Sequence, residues 1–305
     1  MSGGFISVRE GVAASIFLAI YTIYLGLTGL IVYREGWRTT YTFLLVFGIF
    51  RVSGQLCGVV FSKLGIEHWQ WLIAYLVLTA EGYFTLVLTS FHFLANAQVT
   101  VHGTSWLRPT KKEIHAAHAG ESKMQIKCAE MNTFAFVFHW LLIPANALVI
   151  SGGTMLTGVD ADKWSQEGKK IATSKALRCS GQATFLAETI VLVAFAIYVY
   201  KSERVRNYTM KALFFAFPFL LVRGIFGILS IFLDRMNYFK ISNYDENGLS
   251  AYFIACEYTM ATTMEFISAC TLISVYYHDR YYGKFSNKER IIEPLTEEES
   301  DSKGV

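Results

Sequence analysis

FLLVFGIFRVSGQLCGVVF, residues 43–61, decides how this chain folds. Its one charge, Arg51, sits near the middle of a stretch that otherwise has the length and character of a bilayer span, about 20 apolar residues. Backbone groups in hydrocarbon can be satisfied only within a helix or a closed barrel, and the alternation that a barrel strand needs is absent here. The stretch therefore reads as a transmembrane helix with an arginine buried at mid-depth.

Working outward from it, six more runs of similar character appear. The expected spans are 12–32, 39–61, 69–95, 132–151, 174–200, 210–233 and 249–277. Composition agrees: 53% of residues are hydrophobic and only 17% charged, against roughly 25% in a soluble domain, so the chain is read as an integral membrane protein. With 24 Phe, 17 Tyr and 6 Trp it is well supplied for lipid-facing surfaces and interfacial belts. The expected fold class is all-α: a single polytopic membrane domain, 1–280, forming a seven-transmembrane-helix bundle. A disordered acidic cytoplasmic tail, 281–305, is expected to follow it. The amino-terminal run is of span length and is preceded by Arg9 and Glu10, which suggests a signal anchor rather than a cleaved leader.

The lysine and arginine bias orients the spans. With the amino terminus outside, the cytoplasmic flanks carry Arg34 and Arg38, the basic residues of the loop after span three, Lys201 to Lys211, and Arg280 to Arg290. These outnumber the basic residues of the opposite flanks, so the amino terminus is expected outside and the carboxyl terminus in the cytoplasm. The sequon Asn207-Tyr208-Thr209 would then face the cytoplasm and stay unmodified. No retention signal distinguishes the plasma membrane from an endomembrane.

Function is sought in the polar residues that the lipid layer should exclude. Arg51, Glu81, Glu188, Arg223, Glu257 and Glu265 all lie within expected spans. An ionised side chain at mid-membrane costs about 2.5–3.5 kcal/mol or more on insertion scales, so such groups face a bundle interior, pair, or line a pathway. Arg51 and Glu81 fall at matched depth in adjacent spans, as do Glu188 and Arg223, which suggests two ion pairs. Buried pairs of this kind also serve merely to fix helix register. Glu257 and Glu265 lie in the outer and inner halves of span seven, separated by eight residues and so projecting roughly 80° apart, and both are expected to point inward. Four acids outnumber two bases, so at least one acid is expected to carry a proton. These six residues are the candidates for substrate binding or coupling.

Other features are weaker. His92 and His139 should lie in the cytoplasmic halves of spans three and four and are secondary candidates, as ligands or as ordinary hydrogen-bonded histidines. His115 and His118 share a helix face in IHAAH, but no carboxylate completes a site. No metal and no cofactor is expected. Thr110 and Glu113 have the spacing of a capping box in the long polar loop 98–131. Pro144 and Pro218 each remove a helical hydrogen bond within a span. Gly54 and Gly58 form a small-xxx-small pair that favours close helix packing. YREGWRTTYT (33–42) is echoed by YKSERVRNYT (200–209), each followed by a span with one central arginine, although the two arginines fall out of register. The five cysteines show no metal spacing, no disulfide framework is expected, and a formal charge of +3 without a basic stripe argues against a nucleic-acid partner.

FLLVFGIFRVSGQL, TAEGYFTLVLTSFHFL, FAFPFLLVRGIFGILSIF and EYTMATTMEF together resemble a family of fungal seven-span integral membrane proteins catalogued as a domain of unknown function. The resemblance covers most of 11–277, excludes the tail, and implies a fungal source and seven helices but no activity. Better-known seven-helix families lack their marks here. Span three ends in SFHFLANAQ and span seven in TLISVYY, unlike rhodopsin-like receptors, and span seven holds no lysine for a retinal Schiff base. The proline-glutamine dipeptide of several carrier families is absent, and the last span lacks the histidines of ceramidase-type hydrolases. Motifs of the fungal lipid-translocating exporters are also missing.

Three functions are compatible with this pattern. A transporter or translocator of a small lipophilic or amphipathic molecule would use the acids for coupling or binding, and is favoured by a mobile interior cavity. A receptor or sensor would use the ion pairs as a switch and the third loop and tail as a surface for a cytoplasmic protein partner, and is favoured by a cavity open only outward. A membrane-embedded cyclase or isomerase would use a buried glutamate as general acid, and is favoured by a closed, aromatic-lined pocket. Transport in the lipid bilayer stands first, and an enzyme last.

Overall fold

Each apolar run becomes a helix, as the lipid argument requires. In the computed structural model these are, with the short helices between them, α1 (Val8–Glu35), α2 (Tyr41–Leu64), α3 (Gln70–His102), α4 (Lys111–Ala117), α5 (Lys123–Met131), α6 (Phe134–Thr154), α7 (Gly168–Lys201), α8 (Tyr208–Phe232), α9 (Ala251–Glu257) and α10 (Met264–Asp301). The structure describes the backbone of residues 5–155, 168–245 and 248–301, and the side chains of these except 66, 241, 245, 248 and 283–301. Six helices, α1, α2, α3, α6, α7 and α8, are long and apolar enough to cross a membrane, which marks an integral membrane protein.

The seventh apolar run departs from expectation. Instead of one α-helix over 249–277, α9 is followed by a π-helical turn, Tyr258–Thr263, and then by α10. A π turn widens the backbone and loosens its carbonyls, and polar side chains answer them here. Thr263 Oγ1 donates to the Tyr258 carbonyl at 2.7 Å, and Tyr21 Oη on α1 donates to the Thr262 carbonyl at 3.0 Å. At its far end α10 continues in backbone to Asp301, into the segment expected to be a disordered tail from 281, while the side chains of 283–305 lie outside the described residues.

Helix ends follow local chemistry. α3 overruns its expected end at 95 because ANAQVTVH contains no helix breaker. It stops at Gly103, whose φ of 76° is left-handed and whose N–H caps the Val99 carbonyl at 2.9 Å. In the third loop the Thr110–Glu113 capping box forms, and a second one, Ser122–Gln125, starts α5. Asn207, the residue of the sequon, caps α8: its Oδ1 accepts from Met210 N at 3.0 Å, and its Nδ2 donates to the Ala97 carbonyl at 3.1 Å.

α1, α2 and α3 pack in sequence, as do α6, α7, α8 and α10. α3 joins the two groups, touching α6, α7, α8 and α10. It is accordingly the most enclosed helix, with 56% of its most apolar window buried against 17% for α6. The small-xxx-small pair performs its packing role: a Cβ at Gly58 would meet Ala14 Cβ and Tyr75 at 3.5 Å, and one at Gly54 would meet Leu78 Cβ at 3.4 Å.

The two ends of the bundle are filled differently. The half towards the α1–α2, α3–α6 and α7–α8 connections is one continuous apolar cluster, running from Phe91, Leu94 and Leu107 through Leu192 and Val199 to Leu213 and Leu272. The half that carries the amino terminus holds three small clusters, around Phe253, Phe61 and Phe226. A two-residue hairpin there, Tyr244–Asp245 against Gly248–Leu249, belongs to the segment that folds over this end between α8 and α9.

Candidate functional site

The two arginines that echo each other in sequence meet at one acid. Arg51 of α2 pairs with Glu265 Oε2, and Arg223 Nε of α8 lies 2.5 Å from Glu265 Oε1. All three are essentially inaccessible, at 1%, 5% and 0% exposure. Both expected pairs, Arg51–Glu81 and Glu188–Arg223, are therefore corrected by the structure. Depth was matched in each, but successive helical residues turn by about 100°. On α3 it is Gly82, not Glu81, that faces Arg51: a Cβ at 82 would come within 2.7 Å of Arg51 Nε. Glu81 is turned towards α6, where it accepts a hydrogen bond from Asn146 Nδ2 at 2.6 Å.

Glu188 occupies the interior stripe of α7 with Phe185, Thr189 and Leu192. It is 5% exposed, and neither carboxylate oxygen has a hydrogen-bond partner among the described residues. Of the four candidate acids it is the one with no polar partner among the described residues. Glu257, at the end of α9, is 4% exposed and accepts from Tyr75 Oη at 3.1 Å. Its carboxylate also acts electrostatically on Arg223. Both acids of the seventh column thus point inward, as expected, with the π turn between them.

Aromatic hydroxyls that the sequence reading passed over complete this layer. Arg223 lies over the Tyr83 ring, 4.9 Å from its centroid, and Tyr83 Oη is 3.2 Å from Thr189 Oγ1. Tyr238, in the segment after α8, packs 6.5 Å from Tyr75 and 4.4 Å from Phe253 between ring centroids. Burial, and secondly the nearby Glu257 carboxylate, hold its phenol well above the ordinary tyrosine range, so it remains a donor. Glu10 was read as part of the polar amino-terminal flank, yet it is 5% exposed and lies beside Ser7 and Tyr244.

Above the charged layer, at the amino-terminal end, a cleft of about 100 Å³ opens between α3, α6, α7 and α8. Arg223 and Glu257 lie at its inner end, and Tyr238 and Phe239 at its edge. Its other polar lining comes from Arg178 and Gln182, one helical turn apart on α7. Arg178 lies over the Phe239 ring at 4.6 Å, and Gln182 is 7% exposed with its Oε1 lacking a partner among the described residues. Neither was singled out in sequence, because both sit in the polar first half of α7, where such residues are ordinary.

The two histidine candidates come together elsewhere, in the opposite half. Their rings are 5.4 Å apart; His92 Nδ1 is 3.2 Å from Arg108 Nη1, and His139 Nδ1 is 2.5 Å from the Ala135 carbonyl. The Phe43 ring stacks on His92 at 4.6 Å. Among the described residues, no cluster of three or more metal-ligating side chains exists. His115 instead meets Glu130 at 3.1 Å on the loop surface.

No protein-family model, curated protein or solved structure matches this chain.

Proposed function

We propose that this protein is a seven-span membrane transporter or translocator, amino terminus outside, whose cleft receives a small lipophilic or amphipathic molecule. The α9–π–α10 column would supply the seventh span, in keeping with the fungal seven-span family that the sequence resembles. The observation that carries the proposal is that buried polar side chains on α7 continue beyond the cleft. Arg178 and Gln182 line the cleft, Arg223 and Glu257 lie at its inner end, and Glu188, outside the cleft lining and on the side of α7 turned towards α6, sits six residues beyond Gln182, roughly 9 Å deeper. A binding site alone does not require an unpaired acid below its floor. A path does, because a group that receives a proton or cargo in passing must be free to do so. The π turn ahead of α10 and Pro218 in α8, two of the three helices whose charges meet at Glu265, supply backbone that can shift with modest loss of hydrogen bonding.

A receptor is the second reading, and one observation favours it: the cleft reaches in from the amino-terminal end while the opposite half is continuously packed. The test is uptake of a panel of labelled lipophilic compounds into proteoliposomes and expressing cells, with Glu188→Gln and Glu257→Gln at matched levels. Uptake of one compound, lost in either variant, supports transport. Saturable binding with no flux in any variant would transfer the site to a receptor, with the third loop as its cytoplasmic surface.

A further inference from the structure

We infer that the cleft takes an amphipathic anion, with its acid group held by Arg178. This rests on the cleft being a binding site, as proposed above, and adds the chemical class of its occupant. The first argument is charge. Arg51 and Arg223 are matched by Glu265 and Glu257, so the layer at the inner end of the cleft is neutral with all four groups ionised. Arg178 stands outside that balance and has no carboxylate partner among the described residues.

An arginine near the end of a span ordinarily extends its head to water. This one does so only in part: the residue is half-buried, its Nε is enclosed without an acceptor, and its guanidinium lies over the Phe239 ring at the cleft wall. Gly152 makes the room: a Cβ there would come within 2.8 Å of Arg178 Cγ. One turn deeper, Gln182 Oε1 is an acceptor without a donor. The remaining walls are apolar, among them Leu76, Val149, Phe226 and Ile231.

An unmatched guanidinium, an unmatched amide about 6 Å further in and apolar walls specify a ligand. It carries an acid group, an O–H or N–H donor nearby, and an apolar body. A neutral molecule leaves Arg178 unpaired. A cation meets repulsion at Arg178, while Glu257 is already engaged by Tyr75 and Arg223. The same chemistry is offered by a free carboxylic acid and by the head of an anionic lipid.

The test uses the full chain in nanodiscs of zwitterionic lipid, titrated with decanoate, decanol and decylamine. Saturable decanoate binding, about ten-fold or more tighter than that of the other two, is expected. Arg178→Gln should abolish that preference and Arg178→Lys should keep most of it, with thermal unfolding reporting that each variant is folded. Competition by phosphatidic acid in the nanodisc would identify a lipid head as the natural source, and its failure a free acid; either supports the inference. Equal binding of the three probes, tighter binding of decylamine, or an undiminished preference in folded Arg178→Gln would overturn it. Anion-selective binding without flux would remove transport and leave this inference standing. Flux indifferent to the charge of the head group would do the reverse.

Discussion

The two halves of this bundle are made of the same helices but packed to different ends. Towards the α7–α8 turn, side chains from α3, α7, α8 and α10 merge into one apolar cluster. Towards the amino terminus the same helices separate around a cleft, and the apolar residues break into three small groups. The Arg51–Glu265–Arg223 cluster lies at the boundary and ties α2, α8 and α10 together. Lipid drives helices together only through packing and polar contacts, since it is as apolar as the side chains themselves. A close-packed half can therefore hold the assembly, which frees the other half to keep polar groups unpaired. On the proposed reading, stability and function are separated along the membrane normal.

That comparison can be broken or sharpened experimentally. The largest effect belongs to the boundary. Glu265→Gln strands two buried guanidinium groups, and a loss of about 3–5 kcal/mol is expected, read as a fall in the unfolding midpoint or in folded yield. Survival of that variant with wild-type stability would show that the cluster does not hold the halves together. Next, Leu272→Ala, at a fully buried position of the packed half, should cost about 2–5 kcal/mol. Leu76→Ala, at the cleft wall, should cost about 1 kcal/mol or less. Equal costs would mean that the two halves are equally packed.

Rotation of α3 gives a sharper pair. Gly82→Ala places a methyl against Arg51 and should destabilise by about 1–3 kcal/mol. Glu81→Gln, which keeps an acceptor for Asn146, should stay within about 0.5 kcal/mol. The reverse order would restore the Arg51–Glu81 pairing that depth alone suggests. Glu188→Gln is also expected to change stability little, by under about 1 kcal/mol, because the carboxylate has no partner to lose. Its effect should appear in flux instead, and a variant that transports normally would take Glu188 off the path.

Much of the helical layout was legible in order and composition. The span at 43–61 is recognisable because nothing but a helix can satisfy that backbone in lipid, and five of the other runs follow from the same rule as helices long and apolar enough to cross. The Thr110–Glu113 cap was equally readable, since it depends on residues three apart. Legibility ended where distant residues had to be oriented. The π turn left no mark in the apolar pattern of 249–277, and Arg178 and Gln182 looked like ordinary interfacial polarity until the cleft gathered them.

By itself, then, the sequence determined that Arg51, Glu81, Glu188, Arg223, Glu257 and Glu265 would lie in helices within an apolar layer, because the cost of exposing backbone and charge to lipid depends only on composition and length. Which of them would meet was a tertiary decision. Depth along a helix can be counted from residue numbers, but the direction in which a side chain points also depends on how each helix is rotated against its neighbours. Close packing at Gly82, Gly58 and Gly152 sets that rotation, and it turned two expected ion pairs into one shared acid, one unpaired acid and one cleft.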